Sequence, residues 1–195
     1  MFSVVKKSLV ALALLPAAWL AVGAWRDALG ANPIEAITHA TGLWGLRFLL
    51  ASLAITPLRR LSGWNWLISY RRTLGLLAFT YAMLHVATFV VLDHYFDWTA
   101  IVADVRKRPY VTAGALAFTC LVPLALTSTR GWIRRLGKRW TTLHRLAYVA
   151  ALAVVIHYWW LVKADVRAPL WYGAALALLL LARTAPVARR RPATA

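Results

Sequence analysis

Two of the five histidines stand where an ionisable side chain is costly. His85 lies in the run Ala82-Met83-Leu84-His85-Val86-Ala87, and His157 in Val154-Val155-Ile156-His157-Tyr158-Trp159. In a membrane helix such a group turns toward the bundle interior and finds a partner there. Taken singly, each is as well explained as an interhelical hydrogen-bonding group as by a proton relay and metal ligation together. Taken together they point to a shared ligand. His85 follows Arg72 by 13 residues and His157 follows Arg139 by 18, so both fall in the outer half of helices that run in the same direction. Two neutral imidazoles facing each other supply both axial ligands of a haem iron, with the flat macrocycle filling the apolar gap. With both axial positions taken, none is open to oxygen or substrate, which suits one-electron transfer.

Other side chains could extend that chemistry. His144 precedes His157 by 13 residues, roughly 19–20 Å along a helix, a separation that suits two stacked haems. The corresponding place before His85 holds Arg72 or Arg71, so a second bis-histidine site is incomplete, and an ideal helix would leave His144 and His157 about 140° apart unless it bends. His144 is otherwise an interfacial residue beside Trp140 and Arg145. The basic groups Arg71-Arg72 and Arg130 to Arg139 are explained by membrane topology, or they bind an anionic cofactor, a flavin mononucleotide phosphate or haem propionates, with Trp140 or Trp64 as a stacking platform. Arg47 pairs with a propionate or snorkels. His94 is expected in solvent, and His39 in an i,i+4 pair with Glu35.

The elements that must position these groups follow from composition. Of 195 residues, 62% are hydrophobic and 15% charged, with mean hydropathy +0.63, too apolar for a water-soluble domain. Six apolar stretches, about 8–25, 41–58, 73–92, 110–126, 142–162 and 170–182, are expected to span the bilayer, and 1–195 is expected to form a single integral membrane domain without internal repeats. The first stretch is expected to be a retained anchor, with Trp19 and Trp25 near its far end. Alternate sides divide sixteen basic residues and no acid from six basic residues and all six acids. The positive-inside rule then places both termini in the cytoplasm. The basic residues lie between apolar runs and not along one face, which argues against nucleic acid. A single cysteine, Cys120, excludes an intrachain disulfide, a CxxCH haem attachment and a cysteine-built metal cluster. No dinucleotide or P-loop motif is present, so oxidation of NAD(P)H needs a partner.

Longer motifs carry a family resemblance. Asn32-Pro33-Ile34-Glu35 with Thr38-His39 and Thr41-Gly42, Thr56-Pro57-Leu58-Arg59-Arg60, Tyr70-Arg71-Arg72-Thr73-Leu74-Gly75-Leu76 leading to Leu84-His85, Arg108-Pro109-Tyr110, and Thr127-Ser128-Thr129 through Leu136-Gly137-Lys138-Arg139-Trp140, Leu143-His144 and Ile156-His157-Tyr158 occur in order. Together they resemble the MsrQ (YedZ) haem-binding membrane subunits of bacterial periplasmic methionine sulfoxide reductase systems, within the ferric-reductase-like transmembrane superfamily. The resemblance covers nearly the whole chain. It implies an all-α, six-transmembrane helix bundle in the inner membrane, haem b on His85 and His157 with His144 contributing, and FMN as a further cofactor. It implies electrons arriving from the quinone pool or a cytoplasmic flavin reductase and leaving for MsrP, a periplasmic molybdopterin enzyme that itself reduces methionine sulfoxide. Two-haem relatives such as the NADPH-oxidase membrane domains carry paired histidines on both helices, where this chain has Arg71 or Arg72. The competing expectations are a stand-alone ferric reductase or cytochrome b, and a proton-coupled transporter.

Overall fold

The computed structural model describes residues 2–184, and side chains from residue 4 onward. Among these the regular structure is entirely helical: α1 (Phe2–Trp25), α2 (Pro33–Ser62), α3 (Ile68–Ala87), α4 (Trp98–Lys107), α5 (Pro109–Leu126), α6 (Arg130–Leu136), α7 (Lys138–Leu143), α8 (Leu146–Leu161) and α9 (Arg167–Thr184). Four stretches are long and apolar enough to cross a membrane: Val4–Trp25, Pro33–Ser62, Asn65–Asp93 and Pro109–Leu126. The basic run Arg189-Arg190-Arg191, which the topology count includes, lies outside the described residues.

Local chemistry sets the helix ends, and it moves several of the expected boundaries. α2 starts eight residues before the expected stretch 41–58, because Asn32 caps it. The Asn32 side chain accepts from the Glu35 backbone N–H at 3.2 Å, and its amide donates to the Glu35 carboxylate at 3.0 Å, a reciprocal cap. This corrects the expected Glu35–His39 pair: Glu35 turns back to Asn32, and His39 is exposed. At the other end Gly63 adopts φ +77°, and its N–H closes on the Arg59 carbonyl, the left-handed stop that glycine allows. α3 does not end at its last α-helical turn but widens over Thr88–Asp93. The expected stretch 142–162 is divided. α7 stops at Leu143, and bonds between residues three apart, Arg145 N–H to Thr142 and Tyr148 N–H to Arg145, turn the chain into α8. That turn is the bend which an unbroken helix would have lacked.

The helices pair as two hairpins. α2 packs along α3 and α5 along α8, while α3 and α8 have little direct contact with each other. Leu46, Leu49 and Leu53 pack with Leu77, Ala78 and Tyr81 in the first pair, and Cys120, Leu121 and Leu124 with Ala150, Ala151 and Val155 in the second. Small residues let membrane helices approach closely. The Phe79 and Phe118 rings, stacked 6.1 Å apart, join the halves. Basic residues gather at one end, where Lys6 lies over Tyr70 at 5.8 Å, Arg60 donates to the Arg183 carbonyl at 2.9 Å, and Arg183 reaches the Tyr148 hydroxyl and the Leu53 carbonyl.

The contact that holds α1 follows from Pro16. A proline inside a helix disturbs the carbonyl and amide ladder around it. The fully buried Tyr81 hydroxyl enters there, donating to the Ala13 carbonyl at 2.6 Å and accepting from the Ala17 N–H at 3.3 Å. Replacing Tyr81 with Phe strands both backbone groups and is expected to destabilise the fold by about 1–3 kcal/mol. Thermal unfolding of the detergent-solubilised protein checks this; an unchanged midpoint would show the hydroxyl to be dispensable.

Candidate functional site

His85, near the end of α3, and His157, near the end of α8, meet between the two hairpins. Their ring centroids lie 6.0 Å apart with the planes at 81°. Each ring is held by a backbone carbonyl: His85 Nδ1 lies 2.9 Å from the Thr38 oxygen and His157 Nδ1 lies 2.6 Å from the Tyr110 oxygen. A carbonyl only accepts, so Nδ1 carries the proton in each ring. The neutral imidazole then keeps its lone pair on Nε2, the arrangement that metal-binding histidines adopt.

The two halves repeat this construction, although the sequence shows no internal repeat. In each half the carbonyl residue precedes its histidine by 47 positions, Thr38 to His85 and Tyr110 to His157. Four residues after each carbonyl comes a glycine, Gly42 or Gly114, against the same imidazole. A Cβ added at Gly42 would stand 3.0 Å from His85 Nδ1, and one added at Gly114 2.9 Å from His157 Nδ1. Only the absence of a side chain lets the rings lie so near their partner helices. The sequence signal was the matched spacing of small residue and histidine. It is too sparse to register as a sequence repeat, because one carbonyl belongs to Thr and the other to Tyr.

The donor set fits a macrocyclic metal. Among the described residues no three His, Cys, Asp or Glu side chains converge, so the His85/His157 pair could hold a metal that carries further ligands of its own. Two metal–imidazole bonds of roughly 2 Å, each followed by about 1.1 Å from nitrogen to ring centre, call for centroids about 6 Å apart. The observed separation matches.

The remaining expected site residues lie toward the basic end. His144 occupies the turn between α7 and α8, its ring stacked 3.8 Å from that of Trp140 and its Nδ1 3.1 Å from the Trp140 carbonyl. Trp140 is itself fixed by an Nε1–H bond to the Thr127 carbonyl at 3.0 Å. One of its faces is therefore occupied by His144. Arg71 comes within electrostatic reach of His144, and its carbonyl accepts from Ser52 at 3.0 Å; Arg72 is exposed. The structure thus brings Arg71, Trp140 and His144 into one neighbourhood, separate from the His85/His157 pair. Trp64 is away from this group and stacks on Trp66. Arg47 lies over Trp44 at 4.8 Å and donates to the Tyr172 hydroxyl at 3.0 Å. His94 is not in solvent as expected. Its side chain is 11% exposed and faces Asp104 at 3.2 Å.

Comparison with known proteins gives the family. Residues 40–155 match the family model described as ferric reductase like transmembrane component. A protein-methionine-sulfoxide reductase heme-binding subunit MsrQ from Herminiimonas arsenicoxydans is 54% identical over 93% of this chain and 84% of its own length. The proteins of the same name from Azospira oryzae and Rhodospirillum rubrum are 51% and 54% identical, each over 91% of this chain and over 77% and 86% of their own lengths. No solved structure matches. A multi-pass helical membrane protein, with two tautomer-fixed imidazoles facing each other between hairpins and close relatives along nearly its whole length, belongs to the MsrQ family of ferric-reductase-like transmembrane proteins.

Proposed function

We propose that the chain is the haem b electron-transfer subunit of a methionine sulfoxide reductase system, with His85 and His157 as the axial ligands. The observation that carries this reading is the pair of opposed rings 6.0 Å apart, each with Nδ1 committed to a carbonyl. If held between the two rings, haem iron would supply a one-electron couple. The protein's own work is to hold the rings in register, keep Nε2 free of protons and exclude water with apolar helices. A carbonyl acceptor on Nδ1–H makes each imidazole a stronger donor through Nε2.

Around this centre the reading is a six-span bundle in the inner membrane with both termini cytoplasmic. α8 and α9 add to the four stretches named above as the fifth and sixth spans, and 1–195 forms one membrane domain. It is supported by the gathering of Lys6, Arg60, Arg71 and Arg183 at one end. Electrons enter at that end, from the quinone pool or a cytoplasmic flavin reductase, and leave at the opposite end to MsrP, which performs the sulfoxide chemistry. His144, Trp140, Arg71 and Arg72 form the cytoplasmic cofactor region, for FMN or for a second haem. The 3.8 Å stack of His144 on Trp140 supports a place for an aromatic cofactor there, and Arg71 a place for its anionic group.

His85→Ala and His157→Ala are each expected to remove most of the Soret and reduced α-band absorption of the detergent-solubilised protein, and His144→Ala to alter it more mildly. Normal spectra in both axial variants would reject the assignment. Gly42→Ala and Gly114→Ala place a methyl within contact of the rings and are expected to weaken haem retention, with recovery of haem per purified chain as the readout. Reporter fusions in the Asp93–Asp97 loop and after Ser62 are expected to read periplasmic and cytoplasmic, and reversed signals would overturn the direction of transfer.

A further inference from the structure

A chain of side chains joins the outer ends of the two half-sites. One turn beyond His85, the Phe89 ring lies 4.2 Å from the ring of His94, tilted at 48°. His94 Nδ1 lies 3.2 Å from the Phe89 carbonyl, and Nε2 lies 3.2 Å from Asp104 Oδ2. Asp104 Oδ2 also takes Arg108 Nη1 at 3.0 Å, and Arg108 Nη1 lies 3.4 Å from the Tyr110 hydroxyl. Tyr110 is the residue whose carbonyl holds His157. The path runs from one imidazole-bearing helix, through the α3–α4 connection and α4, to the start of α5 and the other imidazole.

His94 is the point on this path that can change charge. Both of its nitrogens face oxygen acceptors, a carbonyl and a carboxylate. Neutral imidazole has one N–H and satisfies one of them; imidazolium satisfies both. The pair is partly withdrawn from water, with side chains 11% and 16% exposed, so its charges are screened less than those of a surface pair. The other charges are accounted for. Asp93 Oδ2 stands 3.7 Å from Nδ1, and Arg108 faces Asp104 from the end of α4. The Tyr110 hydroxyl and then Asp104 push the Arg108 guanidinium pKa further up, so it stays charged. α2, which packs on the same wide turn, brings Glu35, held by Asn32, and exposed His39. α5 brings Tyr110.

We propose that His94, held between Asp104 and the Phe89 carbonyl, is a proton-linked positioning residue for the His85/His157 pair. It ties α3 to α4 as the imidazolium, and its charge makes the reduction potential of the haem held there depend on pH. This rests on the haem reading above. Were haem held there, its one-electron reduction would be accompanied by one proton from the aqueous phase onto the His94 ring, with N–H the one bond formed. A positive charge nearby favours the reduced iron, so the potential is highest with His94 protonated. It falls as the ring gives up its proton and levels off once the ring is neutral.

Spectroelectrochemical titration of the whole purified protein from about pH 5.5 to 8.5, with dithionite as reductant, tests this on wild type, His94→Gln and Asp104→Asn. Wild type is expected to show the falling potential. His94→Gln, which keeps a hydrogen bond without a titrating charge, is expected to lose that slope. Asp104→Asn, lacking the carboxylate that retains the proton, is expected to move the inflection to lower pH. A wild-type potential flat across the range overturns the proposal, as does the same slope in His94→Gln. Should His94→Gln purify without haem, an unmoved inflection in Asp104→Asn overturns it instead. Wild-type protein without any haem band would overturn the functional reading as well, whereas a haem whose potential ignores pH leaves that reading intact.

Discussion

The two bonds from imidazole Nδ1 to backbone oxygen govern the rest of the structure. Each joins a histidine near the end of one helix to a carbonyl near the start of its neighbour, at 2.9 Å from Thr38 and 2.6 Å from Tyr110. For these bonds to form, α2 must run back along α3 and α5 along α8 with their ends level. The helices must also come close enough that Gly42 and Gly114 are the residues that fit. In an apolar interior an imidazole N–H without an acceptor is costly, so the bond that fixes the tautomer also helps to fix the register of each hairpin. Burial of Leu and Ala between the helices then follows from a geometry that the polar contacts have already restricted.

The two ends of the molecule are built differently. The end near His85 and His157 holds short polar connections and acids that pair locally, with Asp97 capping α4 through bonds to the Thr99 and Ala100 amides and Asp104 shared between His94 and Arg108. At the opposite end arginines bond to neutral oxygens: Arg183 to the Tyr148 hydroxyl and the Leu53 carbonyl, and Arg60 to the Arg183 carbonyl. Guanidinium groups satisfied in this way keep their full charge, and that end stays strongly positive. An anionic group is attracted there irrespective of which residue it meets first.

Much of this was legible in the sequence because lipid imposes few solutions. A chain this apolar must be helical, and an imidazole in an apolar run must face inward. Those two rules brought out His85 and His157. The sequence was less informative wherever a backbone atom was the partner. Thr38 and Tyr110 act through their carbonyls, which every residue possesses, so no residue type announced them. The same reason concealed His94, because its loop looked hydrophilic while its partners, a carbonyl and a carboxylate ten residues away, are assembled by the fold. Helix boundaries shifted where caps and turns outweighed hydropathy, at Asn32, Gly63 and the His144–Arg145 turn. The Trp140–His144 stack shows the converse case, since residues four apart on a short helix meet without help from the rest of the chain.

The internal equivalence of the halves bears on how the protein is made. Each half-site closes within its own stretch of chain, 47 residues from carbonyl to imidazole. During synthesis the N-terminal hairpin can therefore insert and lock its ring before the second hairpin has left the ribosome. Only the joining of the two halves requires the finished chain, so assembly proceeds from two local closures to a single long-range one, and the slowest search is left to two rigid bodies.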